Sequence, residues 1–261
     1  MNKANIFKEI YAYRDMMKNL VKRDLKGRYK GSVLGFAWTF INPLLQLAVY
    51  TMVFSIIMRN GIEDYYLYLF VALIPWIFFS SSLAGGAGCI RAQADLTKKI
   101  YFPREVIPIS FVTSQFVNMC LSLLVVLAVL IISGKGINPI ALLFLPLIMI
   151  IEYCMALGFT LLLSGITVYF RDIEYFMNIF MMAWQFSTPV MYGIDMVPER
   201  FLFVFSLNPM TSIIVAYRDI LYFKQIPNLS TLITAIVFAV IVLTFGFVSF
   251  SKLKMHFAEE L

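Results

Sequence analysis

Six long apolar blocks, at residues 33–58, 65–90, 106–133, 137–169, 175–192 and 229–250, restrict this chain more than any other feature. A helix needs about 20 residues, at about 1.5 Å each, to cross the roughly 30 Å hydrocarbon core of a bilayer. All six blocks approach or exceed that length; the fifth is the shortest. Hydrocarbon offers no water to the backbone, so each crossing must satisfy its own N–H and C=O groups, and the helix does so within one segment. Composition agrees: 61% of the 261 residues are hydrophobic and 14% charged, against about 25% charged in soluble domains. Mean hydropathy is +0.84. The fold class expected is an all-α polytopic membrane protein with six transmembrane helices.

Basic loops resist translocation, so their distribution sets orientation. With the N-terminus inside, the cytoplasmic segments 1–32, 91–105, the turn at Arg171 and the end with Lys252 and Lys254 carry sixteen Lys and Arg. The external segments carry five: Arg59, Lys135, Arg200, Arg218 and Lys224. The expectation is both termini in the cytoplasm, which requires an even number of crossings. The first 30 residues lack an apolar core followed by a small-residue cleavage site, so they are read as retained. Within them Ile6, Ile10, Tyr13, Met17, Leu20 and Val21 recur at steps of three or four, with Lys8, Arg14, Lys18 and Lys22 around the turn. That periodicity predicts an amphipathic helix on the inner membrane surface.

Between the fifth and sixth blocks, residues 193–228 hold apolar runs too short to span, broken by Pro198, Pro209 and Pro227. They are read as external re-entrant or interfacial helices, tolerated where protein or water satisfies the backbone. No internal repeat or flexible linker divides the chain, so residues 1–261 are treated as one transmembrane domain.

Catalytic machinery is hard to find. There is no Gly-x-x-x-x-Gly-Lys-Ser/Thr phosphate loop, His-Glu-x-x-His helix or Gly-x-Ser-x-Gly elbow. Cys89, Cys120 and Cys154 lie in apolar blocks and His256 is the single histidine, a set that suggests neither disulfides nor a metal site. The net charge of +6 sits in short segments between apolar blocks, which favours a membrane surface over nucleic acid. Glu152, deep in the fourth block, should face the bundle and hydrogen-bond a neighbouring helix; ion coupling through it is the rival reading. Gly31 with Gly35, and Ser80, Ala84 and Gly88 with Ser81, Gly85 and Gly86, predict close helix packing. Pro43, Pro75, Pro146 and Pro189 fall within blocks and predict kinks. Tyr65, Tyr66, Tyr68, Tyr169 and Tyr192 near block ends read as interfacial anchors. Deeper rings, Trp38, Phe40, Tyr50, Phe54, Phe78 and Trp184, are candidates to line a path.

These segments together resemble the ABC-2 type permease subunits of bacterial polysaccharide exporters. The resemblance is carried by the run from Leu20 to Gly35, Leu-Val-Lys-Arg-Asp-Leu-Lys-Gly-Arg-Tyr-Lys-Gly-Ser-Val-Leu-Gly, then Trp38 and Asn42-Pro43-Leu44. It continues with Lys98 to Glu105, Tyr169-Phe170-Arg171-Asp172-Ile173, Thr188-Pro189-Val190-Met191-Tyr192, Leu207-Asn208-Pro209-Met210 and Tyr217-Arg218. It implies a permease that pairs with a second copy and with two copies of a cytoplasmic ATPase, which would carry the ATP and Mg; this chain itself would hold no cofactor. The cargo implied is a lipid-linked glycan of the O-antigen, capsule or teichoic acid type, moved across the bacterial cytoplasmic membrane. By resemblance the segment at 94–103, with Leu96, Thr97, Lys98, Lys99, Ile100, Tyr101 and Phe102, couples to the ATPase. The first and fifth blocks, with Trp38, Tyr50, Phe54 and Trp184, line the channel, and residues 193–228 form an outer gate. Lys22, Arg23, Lys26, Arg28 and Lys30 would attract the lipid pyrophosphate or anchor the chain at the inner surface. An exporter of small lipids or drugs is the alternative within the family, and an ion-coupled carrier using Glu152 the alternative outside it.

Overall fold

A computed structural model describes residues 3–28, 30–53, 62–99 and 101–257. Among the described residues the regular structure is helical: α1 (Lys3–Ala12), α2 (Arg14–Gly27), α3 (Trp38–Thr51), α4 (Tyr65–Ala87), α5 (Ala94–Lys99), α6 (Val106–Ile132), α7 (Pro139–Leu142), α8 (Leu145–Tyr169), α9 (Asp172–Phe186), α10 (Glu199–Leu207), α11 (Pro209–Leu221) and α12 (Leu229–Leu253). Four helical stretches, Tyr65–Ala87, Val106–Ile132, Pro139–Tyr169 and Leu229–His256, are long and apolar enough to cross a membrane. A fifth candidate is the pair α10 and α11, bent by 95° at Asn208. The chain is a multi-pass helical membrane protein.

Two expected spans differ from their blocks. The first begins with exposed Val33 and Leu34 outside any α-helix; α3 starts at Trp38, and the block's end, Phe54 included, lies outside the described residues. The fifth block is not one helix through Tyr192: α9 starts earlier, at Asp172, and ends at Phe186, followed by a turn through Pro189. At 15 residues, α9 reaches only about 22 Å. Pro189 lies in the turn after the helix, and Pro146 sits in the opening turn of α8, just after the break at residues 143–144 that separates α7 from α8. Pro43 and Pro75 do lie inside helices. The ring of Pro43 frees the carbonyl of Thr39 four residues earlier, and Ser122 Oγ of α6 donates to it at 3.4 Å.

α4 forms the centre, with Leu69, Val71, Ala72, Leu73, Phe79 and Leu83 wholly buried and α6, α8, α9, α11 and α3 around it. The most extensive helix–helix contact is between α8 and α12. Lipid tails are as apolar as leucine, so close backbone approach and interhelical hydrogen bonds must hold such a bundle together. Gly158 and Gly246 supply the approach: a Cβ on Gly246 would lie 2.1 Å from the Gly158 carbonyl oxygen. Gly85 and Gly86 of α4 instead make room for side chains, those of Phe111 and Thr160. Gly31 and Gly35 do not: both have positive φ in the turn before α3, with open space around them, so their i, i+4 spacing marks a turn and not a packing face.

Contacts gather at the two ends of the bundle. At one, Lys135 reaches Glu63 at 2.9 Å and Asp64 at 2.5 Å, Tyr222 OH donates to the Glu63 carbonyl, and Asn138 Nδ2 donates to the Lys224 carbonyl at 2.9 Å. Those hydrogen bonds, to Asp64 and then Glu63, hold the exposed Lys135 ammonium above the ordinary lysine pKa. At the other, Glu105 is fully buried against Lys254 at 2.5 Å, Arg104 Nη1 donates to the Lys254 carbonyl at 2.5 Å, and Tyr169 OH donates to the Leu253 carbonyl at 2.8 Å.

Candidate functional site

Three groups of residues stand out, and the first lies along the N-terminal helix. The amphipathic reading of this region describes α1 and α2, which break at Tyr13; the side chain of Ile6 lies outside the described residues. α2 packs on α6 through Asp24 and Arg28: Arg28 meets Asp24 at 2.9 Å, its Nη1 donates to Gln115 Oε1 at 3.0 Å, and Ser114 Oγ donates to Asp24. Arg28 is thus taken up in fastening α2 to the bundle. Lys18, Lys22, Arg23, Lys26 and Lys30 instead line a groove of about 900 Å³, together with Val21, Leu25, Phe36, Thr113 and two glycines, Gly27 and Gly35. Five cations beside an apolar wall offer an anionic head with a greasy tail both of the surfaces it needs. Lys18 was absent from the sequence-derived set, although it lies one helical turn before Lys22.

The second group is the coupling candidate. Arg91–Gln93 forms a single 3-10 turn that runs directly into α5. Leu96 packs against the core, Thr97 Oγ1 donates to the Gln93 carbonyl at 3.0 Å, and Lys98 is exposed. Ile100 and the side chain of Lys99 lie outside the described residues. Tyr101 is 96% exposed, whereas Phe102 beside it is buried. The segment therefore presents one free aromatic ring and is anchored by the next. Tyr13 OH donates to the Tyr101 carbonyl at 3.4 Å, and Arg91 Nη1 donates to Glu174 Oε2 at 3.1 Å. The segment is so fastened to the N-terminal helix and to α9, while Arg104 and Glu105 fasten its far end to the close of α12.

The third group is a partly buried knot at the opposite end, in which the motif residues at 188–191, 208–210 and 218 meet Tyr65, Tyr68, Trp184 and Ser187. Asn208, at the bend between α10 and α11, accepts from Trp184 Nε1 at 3.0 Å and from the Met210 N–H at 3.0 Å. Its amide donates to the Ser187 carbonyl at 2.9 Å and to Thr188 Oγ1 at 2.8 Å. Arg218 is 3% exposed and donates to the carbonyls of Pro189 at 2.5 Å and Val190 at 2.7 Å, its guanidinium 3.7 Å from the Tyr68 ring centroid. Tyr65 OH donates to the Met191 carbonyl at 2.7 Å. Carbonyls of the turn that follows α9 are so satisfied by side chains of Asn208, α4 and α11, as buried backbone requires.

Several sequence readings change here. Tyr65 and Tyr68 are buried members of the knot, and Tyr169 bonds inside the bundle, so these rings are not simple interfacial anchors. Trp184 is half-buried and packs edge-on against Phe79 at 5.2 Å, Phe159 at 5.7 Å and Phe180 at 5.3 Å. Trp38 is half-buried with its indole N–H on Ser32 at 2.9 Å, and Tyr50 is half-buried on α3. The two lie on a helix that also exposes Asn42, Leu45, Gln46 and Val49. Glu152 is fully buried, and Tyr217 OH donates to its Oε2 at 2.8 Å, which ties α8 to α11. Arg218, quoted with Tyr217 as a motif pair and counted as an external loop charge, lies buried in α11; its place in an apolar run was the available signal for that burial.

With this geometry in view, comparison with known proteins gives a family. Residues 16–222 match the ABC-2 type transporter family, and the chain belongs to it. It is 35% identical over 258 residues, 98% of this chain and 99% of the relative, to the O-antigen export system permease protein RfbA of Myxococcus xanthus. It is 33% identical to the protein of the same name from Klebsiella pneumoniae, over 95% of both chains. It is 22% identical to the polysialic acid transport protein KpsM of Escherichia coli, over 77% of this chain and 78% of that one.

Proposed function

We propose that this chain is the membrane subunit of an ATP-driven exporter of polysaccharide, carried across the cytoplasmic membrane as a lipid-linked glycan. The observation that carries the reading is near full-length similarity to permeases named for O-antigen export, in a chain with no phosphate loop of its own. Energy must then come from a separate ATPase, whose nucleotide and magnesium lie outside this chain. In this reading the bundle crosses six times with both termini in the cytoplasm, α3 and α9 supplying the first and fifth crossings. Two copies pair, and two ATPase subunits dock at α5 and Tyr101. The basic groove beside α2 faces the inner leaflet, where its lysines meet the pyrophosphate of the carrier lipid and its apolar wall the first carbons of the chain. Exposed polar and aromatic groups of α3 and α9 face a channel, and α10 and α11 close its outer mouth. ATP-driven closure of the ATPase pushes α5 and biases the permease between shut and open states.

The test is to express the permease with and without its ATPase and follow glycan arrival at the cell surface. Arrival should depend on the ATPase; normal arrival without it would reject the reading. An ion-coupled carrier would use Glu152, yet that carboxyl meets an uncharged tyrosine, and midplane ion sites are built from several ligands. Glu152→Gln keeps an acceptor for Tyr217 and removes the charge, so export should stay within about threefold of wild type. Abolished export in a well-folded Gln variant would favour the carrier.

A further inference from the structure

α9 is held by polar contacts at its two ends and packs on α4 along one narrow face between them. Tyr175, Phe176, Ile179, Phe180, Met182 and Phe186 are exposed within the protomer, and Met177 and Met181 form a narrow buried seam. At its first turn Glu174 meets Arg91 at 3.1 Å, and Arg91 opens the turn that becomes α5. Gly88 makes room for this contact: a Cβ there would lie 2.6 Å from the Glu174 carboxyl carbon. At its last turn Trp184, Ser187 and Thr188 are held by Asn208, and the next carbonyls by Arg218. A helix is stiff along its axis, so a displacement applied at one polar grip is carried to the other by small sliding of the helix along its packed face.

We propose that α9 is a strut that carries displacement of the 91–99 segment to the outer knot, with Arg91 and Glu174 the positioning residues through which it is driven. The inference rests on the reading of that segment as the ATPase docking site. The ion pair is 30% and 44% exposed at its two side chains and adds little to folding, so its loss should change transmission and leave assembly intact.

The experiment uses the permease–ATPase complex in membranes, with Ser206→Cys on α10 as a reporter labelled by a membrane-impermeant maleimide with and without ATP. The unsubstituted chain sets the background from the native cysteines. ATP should change the labelling rate in the otherwise wild-type complex. Glu174→Gln should shrink that change about fivefold or more, the scale of a modest allosteric coupling. Gly88→Ala, which keeps both charges but displaces the flexible carboxyl, should do the same, and the swap Arg91→Glu with Glu174→Arg should restore it. Co-purification of the ATPase should be equal throughout. An unchanged ATP response in Glu174→Gln and Gly88→Ala, no response in wild type, or a swap that fails to restore would each overturn the strut. Glycan arrival is scored separately: an intact ATP response in a complex that exports no polysaccharide would reject the proposed cargo and leave the strut standing.

Discussion

Arg218→Met should cost most of the folded protein, seen as at least a tenfold fall in monodisperse yield from membranes and a comparable loss of export. Methionine fills similar space, so the expected damage is electrostatic. The Pro189 and Val190 carbonyls would lose donors at 2.5 and 2.7 Å, and Tyr68 would lose the cation at 3.7 Å from its ring. An orphaned buried carbonyl costs about 1–3 kcal/mol, and truncation of a buried charged network about 3–5 kcal/mol. Losses of that size are a large part of a typical folding stability of about 5–15 kcal/mol. Arg218→Lys should fall between, since one ammonium cannot fork to two carbonyls while lying flat on a ring. Unimpaired folding and export of Arg218→Met would show that the knot does not depend on the guanidinium.

What the sequence made legible follows from which forces act over short range. The second, third and sixth apolar blocks were readable as helices because lipid sorts residues block by block, and α4, α6 and α12 begin at their expected starts. The end of α9 was only partly legible: Pro189 stops a helix from running on through it, but the path of the turn from Ser187 to Tyr192 is set by Asn208, Arg218 and Tyr65, all distant in sequence, which donate to its carbonyls. The basic run at Lys22 to Lys30 was visible as charge, but its division was not. Arg28 turns inward because Asp24 stands one turn before it and Gln115 waits on α6, while Lys22, Arg23, Lys26 and Lys30 keep to the groove. Tyr65 and Tyr68 sit at the start of an apolar block, where a tyrosine reads as an interfacial ring; the partner carbonyls at Met191 and Tyr192 and the Arg218 guanidinium over Tyr68 place them in the knot instead. The motif residues were recognisable as a set, and their convergence on one knot gives a physical reason why Asn208, Thr188 and Arg218 belong together.

Gly246→Ala should be the most damaging single methyl that can be added to the bundle. Its Cβ would meet the Gly158 carbonyl oxygen at 2.1 Å and the Gly158 Cα at 2.9 Å, and a methyl on Gly158 would in turn lie 2.6 Å from the backbone N of Leu243. Both neighbours are backbone, so no rotamer change relieves the contact, and α8 and α12 must part by on the order of 1 Å. That separation runs along the most extensive helix contact in the chain. Overpacking of this kind costs about 1–3 kcal/mol, sometimes more; at the upper end a chain of this size should lose on the order of 5–10 °C in Tm. Gly85→Ala is the matched control, because its methyl would meet only the tip of the Phe111 ring, at 2.8 Å, and that ring can swing aside. Thermal unfolding in detergent should therefore separate the two variants clearly. Equal shifts for both would mean that α8 and α12 are free to adjust, and that helix contact elsewhere along the bundle, not this glycine crossing, sets the spacing.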